Sequence, residues 1–218
     1  MQKDHRKILE FNNFYKQFPI RYYKKSEMMI RADDDPQGIF YLTKGYARQY
    51  TISKTGFELT LHILKPDSYF PMVWAINGTP NVYFFEALTT VEVRRAPRDQ
   101  VVNFIKDKPS VIFGLISELL EDYAEALTRV EHLVFSDAYR RVISVLLYII
   151  KHFGEETNKG IVVHHRFTQQ DIATLVGVAR ETAGNEMMKL EKMGLMKHVN
   201  HSILFEDIKK LELELNSN

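Results

Sequence analysis

Residues 167–199 read FTQQDIATLVGVARETAGNEMMKLEKMGLMKHV, and the punctuation of this stretch decides how the chain is built. Thr168 stands where a hydroxyl caps a helix, and Asp171, three residues on, completes the reciprocal pattern of a capping box. A first helix is therefore expected from Gln169 to about Leu175. Gly177 follows where a tight turn needs positive φ, and the small Ala173 lets the next helix cross closely. Ile172, Val176 and Val178 supply the shared core. A second helix is expected from about Ala179 to Met193, closed by Gly194. Two short apolar-alternating runs follow, LMKHV and ILFED, joined by Asn200, His201 and Ser202. Two crossed helices and a hairpin make a winged helix-turn-helix.

In such a unit the first turns of the second helix meet base edges in the major groove of double-stranded DNA. Arg180 can donate a bidentate pair to guanine, Glu181 can accept from a cytosine amino group, and Asn185 can pair with adenine. Thr168, Gln169, Gln170, Thr182 and the wing residue His201 are placed near phosphates, where hydroxyls, amides and helix N-termini position a protein without reading sequence. The alternative for Arg180 and Glu181 is a solvated pair at a helix start; the surrounding turn and wing favour DNA contact.

Upstream, AYRRVISVLLYIIKHFG reads as a helix capped by Ser136-Asp137 and ended by Gly154, with a broad apolar face of Val142, Val145, Leu146, Ile149 and Ile150. Before it, from Pro109 to about Val134, Ile112, Ile116, Leu119, Tyr123, Ala126, Val130 and Leu133 recur at alternating gaps of four and three. With Glu121, Asp122, Glu125 and Arg129 outside that seam, the pattern favours a two-stranded coiled coil between identical chains; packing on its own domain is the alternative.

From about Tyr22 to Arg95 short alternating runs are separated by turn residues at Asp35-Pro36, Gly38, Gly45 and Gly56. Phe40 and Leu42, then Leu59, Leu61 and Ile63, are expected on one side of half-buried strands, in a small jelly roll. The fold class is thus α+β, in three parts: a β-roll over 1–108, a long dimerisation helix over 109–135 and a winged helix-turn-helix over 136–218.

TQQDIATLVGVARETAGNEMMKLEKMGL resembles the reading head of the catabolite-activator/fumarate-nitrate (Crp/Fnr) regulator family, whose usual run is close to T-x-Q-E-[IL]-A-x-x-[VL]-G-x-S-R-E-T-V-x-R. GIFYLTKG, TGFELTLHIL and KPDSYF resemble that family's cyclic-nucleotide-binding-type roll. The resemblance covers nearly the whole chain. It implies a homodimeric transcription regulator on a pseudo-palindromic site, with RNA polymerase as a candidate further partner. Two positions depart from the pattern. Asn185 replaces the family's second arginine, which shifts one base preference per half-site toward adenine. Glu186 replaces an apolar residue, which moves the packing load onto Met187 and Leu190 and, in this register, leaves Glu186 facing outward.

Members that bind a cyclic nucleotide carry Gly-Glu-Leu and an Arg-Ser or Arg-Thr pair. Here Pro71-Met72 stands where Gly-Glu would be, and Tyr83, Phe84 and Phe85 fill the neighbourhood of the arginine. A phosphate would lack its counter-charge there, so cyclic AMP is not expected to bind. Phe70, Met72, Trp74, Tyr83 and Phe85 make either an apolar effector pocket or a filled aromatic core, with the filled core favoured. A haem- or gas-sensing variant would need His62 or Met72 as ligand, and a pure protein-interaction module would leave Arg180 idle. No resident cofactor is assigned.

The other classes fall away on composition. With no cysteine there is no disulfide, thiolate metal site or cysteine nucleophile. His164-His165 on a strand would point to opposite faces, and His198 with His201 brackets a turn without a third ligand, so no metal is expected. No nucleophile elbow or phosphate loop supports an enzyme. The charged start MQKDHRKILEFNNF and the lack of a long apolar run point to a cytoplasmic protein off the membrane. A net charge of +1 means that any DNA affinity must come from a local patch.

Overall fold

The computed structural model describes residues 9–200 and 202–216, so His201 lies outside the described residues. The chain divides into two compact units, Met1–Ala124 and Glu125–Asn218, and the division falls inside one long helix.

The first unit opens with α1 (Leu9–Tyr15), followed by β1 (Ile20–Tyr23), β2 (Met28–Ile30), β3 (Ile39–Lys44), β4 (Ala47–Ile52), β5 (Glu58–Leu64) and β6 (Tyr69–Phe70). Then come α2 (Met72–Asn77), β7 (Phe84–Ala87), β8 (Val91–Ala96), α3 (Arg98–Lys106) and the start of α4 (Pro109–Phe135). The strands form two antiparallel four-stranded sheets, ordered β1-β8-β3-β6 and β2-β7-β4-β5. Phe40, Leu42, Ala47, Leu64, Phe70, Phe85, Ala87, Val91 and Val93 fill the space where the sheets' inner faces meet. That is the jelly roll of an α+β fold.

Two strands depart from simple alternation. Ile39, Phe40, Tyr41 and Leu42 of β3 are all buried, because Phe40 and Leu42 belong to the roll's core while Ile39 and Tyr41 pack with Phe11, Tyr15, Val101 and Val111 from helices on the outer face. In β5 the register jumps from Gln49↔His62 to Tyr50↔Thr60, skipping Leu61. This bulge turns the strand by one residue. Leu59 and Leu61 are consequently only half-buried, while Thr60 and Ile63 go inward, correcting the expectation of one Leu59-Leu61-Ile63 face.

α4 runs as a single helix of 27 residues. Its large exposed apolar residues are Phe113, Ile116, Leu119, Leu120, Tyr123, Leu127, Val130, Val134 and Phe135. Phe113, Ile116, Leu120, Tyr123, Leu127, Val130 and Val134 recur at gaps of three and four, a second heptad register beside the expected one, of which Ile116, Leu119, Tyr123, Ala126 and Val130 are also exposed. Ile116, Tyr123 and Val130 are common to both. Ile112 and Leu133 are half-buried, and Leu133 lines a cleft with Val145, Leu175 and Val176. Ala126 is exposed on the flank.

In the second unit α4 ends and α5 (Ala138–Phe153) begins, with Asp137 accepting from the Arg140 backbone N–H at 2.9 Å. Val142, Val145, Leu146, Ile149 and Ile150 are all buried. Gly154 is not a left-handed stop: its φ of −79° is extended, and glycine is needed because a Cβ would fall 2.4 Å from Ile150 O and 2.5 Å from Ile161 Cγ2. The chain continues through β9 (Gly154–Thr157), β10 (Gly160–Val163), α6 (Gln169–Val176), α7 (Arg180–Lys192), β11 (Lys197–Val199), β12 (Ser202–Phe205) and α8 (Ile208–Asn216). The wing is larger than expected, a four-stranded sheet ordered β11-β12-β10-β9. His164 and His165 lie beyond the end of β10, not within a strand: His164 sits 3.4 Å from Glu155, and the His165 ring packs edge-on to Phe167. No helix among the described residues is long and apolar enough to cross a membrane.

Candidate nucleic-acid interface

The capping box starts α6. Thr168 Oγ1 accepts from the Asp171 backbone N–H at 3.1 Å, and Asp171 Oδ2 accepts from the Thr168 N–H at 2.7 Å and from its hydroxyl at 2.8 Å. The Thr168 hydroxyl thus donates to Asp171 inside the cap. At the other end Gly177 adopts φ 77°, ψ 40°, and its N–H bonds Ala173 O at 2.9 Å. A side chain is disfavoured in that left-handed conformation. Ala173 is fully buried, so α6 and α7 cross closely at a methyl group.

α7 follows with Ala179 at its N-cap, which offers no side-chain acceptor to the first-turn N–H groups. Its faces are cleanly divided. Ala183, Gly184, Met187 and Leu190 are buried, while Arg180, Glu181 and Asn185 are exposed. Gln169 and Gln170 are exposed at the start of α6, and Thr182 is half-buried. Glu186 corrects the sequence expectation: its side chain is only 12% exposed, and it turns in against the flank of the helix with Oε2 2.7 Å from Lys189 Nζ. The contact is an ion pair by distance without hydrogen-bond geometry. The nearby Tyr139 hydroxyl, donating to Glu214 Oε1 at 3.1 Å, is pushed up to about 12, first by burial and then by Glu214 and Glu186. The inward turn of Glu186 goes against the register expected for α7, while Arg180, Glu181 and Asn185 are exposed.

In the wing, Lys197 pairs with Glu206 at 2.6 Å and His198 Nδ1 with Glu191 at 2.5 Å. His198 thus belongs to a carboxylate, and no group of three His, Cys, Asp or Glu among the described residues is placed to hold a metal ion.

Two residues read as the outside of a coiled coil have other work. Glu125 accepts from Lys151 Nζ at 2.6 Å and lies 2.9–3.0 Å from His152 Nε2. Arg129 Nη2 donates to Leu175 O at 2.8 Å, at the last turn of α6. Burial holds the Arg129 guanidinium below its ordinary pKa. Polar residues one turn apart on a helix gave no signal of this in sequence, since only the fold reveals which surface they meet.

The expected effector residues do not converge. Phe70 and Phe85 stack at 5.2 Å inside the roll's core, with Tyr83 packed against that cluster. Met72 and Trp74 sit on α2 and pack in the other cluster, with Phe11, Tyr15 and Tyr69. The helical turn of α2, in a stretch read as strands, sends them there. His62 Nε2 lies 3.9 Å from Asp122 Oδ2. The sequence also gave no hint of Arg48, whose side chain is 12% exposed, 2.8 Å from Glu58 and 3.2 Å from Glu86, above the Tyr50 ring. Burial opposes its charge, yet Glu86 and Glu58 hold its pKa above the ordinary value.

Residues 20–108 match the family model of the cyclic nucleotide-binding domain, and residues 140–214 match that of the Crp-like helix-turn-helix domain. The chain is 27% identical over 183 residues to a CRP-like cAMP-activated global transcriptional regulator of Mycobacterium tuberculosis, covering 84% of this chain and 82% of the relative. It is 24% identical over 165 residues to a global nitrogen regulator of Nostoc sp., covering 75% and 74%. Among solved structures, FixK2 from Bradyrhizobium japonicum superposes with a TM-score of 0.78 at 17% identity, over 92% of this chain and 98% of that one. With a roll, a long helix and a winged reading head in that order, each matched by its own model or by whole-chain superposition, the chain belongs to the Crp/Fnr family of transcription regulators.

Proposed function

We propose that the chain regulates transcription by binding a pseudo-palindromic DNA site as a homodimer in the cytoplasm, without requiring cyclic AMP. The observation that carries this reading is the division of α7: a buried Ala183-Gly184-Met187-Leu190 face fixes the helix, and an exposed Arg180-Glu181-Asn185 face is left to meet base edges. Residues 1–108 serve as the sensing part, 109–135 as the pairing helix and 136–218 as the reading head, with RNA polymerase as the further partner. Pairing is supported by the exposed apolar seam of α4, which water penalises until a second copy covers it. Cyclic AMP independence is supported by Pro71-Met72 in place of a Gly-Glu pair and by Arg48, whose charge Glu58 and Glu86 already balance.

The test is selection of bound fragments from random duplex DNA by the wild-type chain and by Arg180→Ala. The variant is expected to lose one guanine preference in each half-site, worth about 1–3 kcal/mol. If it selects the wild-type motif unchanged, Arg180 is not a base reader.

A further inference from the structure

Gly184 occupies the face of α7 that α6 crosses. A Cβ built on it would meet three atoms of one side chain, Gln169 Cδ, Nε2 and Oε1, each at 3.1 Å. Three equal distances mean that the Gln169 carboxamide lies flat over the glycine, with its donor and its acceptor equally close to α7. Gln169 is the first residue of α6, and the Thr168–Asp171 capping box immediately before it fixes where its side chain sets out. The residue is nevertheless exposed. Its amide therefore rests on the helix that reads, one turn beyond Arg180 and Glu181 and next to Asn185 in sequence order along α7.

We propose that Gln169 is a fourth base-reading residue, presenting its carboxamide to an adenine edge, and that Gly184 is the vacancy that lets it lie there. The inference rests on the DNA-reading role assigned above and deepens it, moving Gln169 from phosphate positioning to sequence readout. The chemistry favours a base over a phosphate. A phosphate oxygen only accepts, so it uses half of an amide, whereas adenine N6 and N7 take an acceptor and a donor side by side. An amide that already rests against α7 has less side-chain freedom to lose on forming such a bidentate contact. Gly184 carries the second half of the argument: a methyl group at 3.1 Å is tighter than ordinary packing, so the amide must shift by a few tenths of an ångström, enough to misalign a two-point contact.

Full-length wild type, Gln169→Ala, Gly184→Ala and Arg180→Ala are carried through the same random-duplex selection, with melting temperatures measured for each. Gln169→Ala is expected to lose an adenine preference of about tenfold at one position per half-site, a different position from the guanine lost in Arg180→Ala. Gly184→Ala, with the glutamine still present, is expected to lose preference at that same position, and the Gln169→Ala/Gly184→Ala double variant to lose no more than Gln169→Ala alone. If Gln169→Ala instead weakens every sequence equally and makes binding less salt-dependent, the residue contacts phosphate and the inference is overturned. If wild type selects no motif at all, the DNA-reading role itself fails. Should Gly184→Ala melt early, Gln169→Ala decides the matter alone.

Discussion

Replacing Leu127 by alanine should split the homodimer, and replacing Leu133 should not. Leu127 is 51% exposed on α4, so about half of its side chain is still in contact with water in the single chain. Complete burial of a leucine contributes about 1.5–3 kcal/mol, so covering the remaining half contributes roughly 0.8–1.5 kcal/mol. A two-fold axis counts each substitution twice, which brings the loss to about 2–3 kcal/mol per dimer and raises the dimer Kd by about 30- to 150-fold. Leu133 is different because Val145, Leu175 and Val176 of its own chain already line the cleft it faces. Its truncation opens a cavity within the protomer and should cost about 2 kcal/mol of folding stability while leaving association nearly unchanged. Sedimentation velocity across a concentration series reads the first quantity, and urea unfolding the second. Should Leu133→Ala dissociate the dimer while Leu127→Ala leaves it whole, the seam follows Ile112-Leu119-Ala126-Leu133, and the register read from exposure is wrong.

Glu125→Gln should destabilise the second unit by about 1–2 kcal/mol near neutral pH, since it removes a carboxylate bonded to both Lys151 and His152. Burial tends to raise the Glu125 pKa, but Lys151 and His152 outweigh it and hold the carboxyl below its ordinary 4.5. The stability it contributes is thus complete above about 4.5 and is lost as pH falls through the lower folded value, so the gap between wild type and variant in urea unfolding should close toward pH 3; a gap constant with pH would assign the loss to packing. Cyclic AMP at millimolar concentration should leave the melting temperature unmoved, whereas a ligand at 100 times its Kd adds about 2.7 kcal/mol and would raise it by several degrees.

The reading head was legible because each of its signals is local. A capping box spans four residues, and Thr168 and Asp171 form it whatever lies around them. Gly177 is dictated by one left-handed turn. The bulge in β5 was not legible, because skipping Leu61 depends on where β4 pairs, and alternation within one strand carries no record of its partner. The same limit explains the seam. Ile112, Leu119, Ala126 and Leu133 satisfy a heptad as well as Phe113, Leu120, Leu127 and Val134 do, and the chain's own packing separates them only at the ends, where Ile112 and Leu133 are half-buried while Leu119 and Ala126 stay exposed. The aromatic stretch, for which a filled core was the favoured reading, is divided between two cores. Period-two reading places Phe70, Met72 and Trp74 together, but α2 winds Met72 and Trp74 into a different cluster from Phe70.

The charge balance of the head explains why pairing and reading belong together. A chain with a net charge of +1 has little long-range attraction for a polyanion, and two lysines of the head are already committed, Lys189 to Glu186 and Lys197 to Glu206. A lysine that leaves its glutamate for a phosphate also exposes that glutamate to the DNA, so the exchange gains little net attraction. On the proposed reading, sequence-specific gain comes from a small set of exposed side chains, Arg180, Glu181, Asn185 and Gln169. Such a set is too small to hold a half-site by itself. Joined through α4 as proposed, the second head would bind at the effective concentration its partner sets rather than from bulk solution, so that two modest energies add on one duplex. With α4 pairing as proposed, shortening the side chains of its apolar seam is expected to weaken DNA binding together with dimerisation.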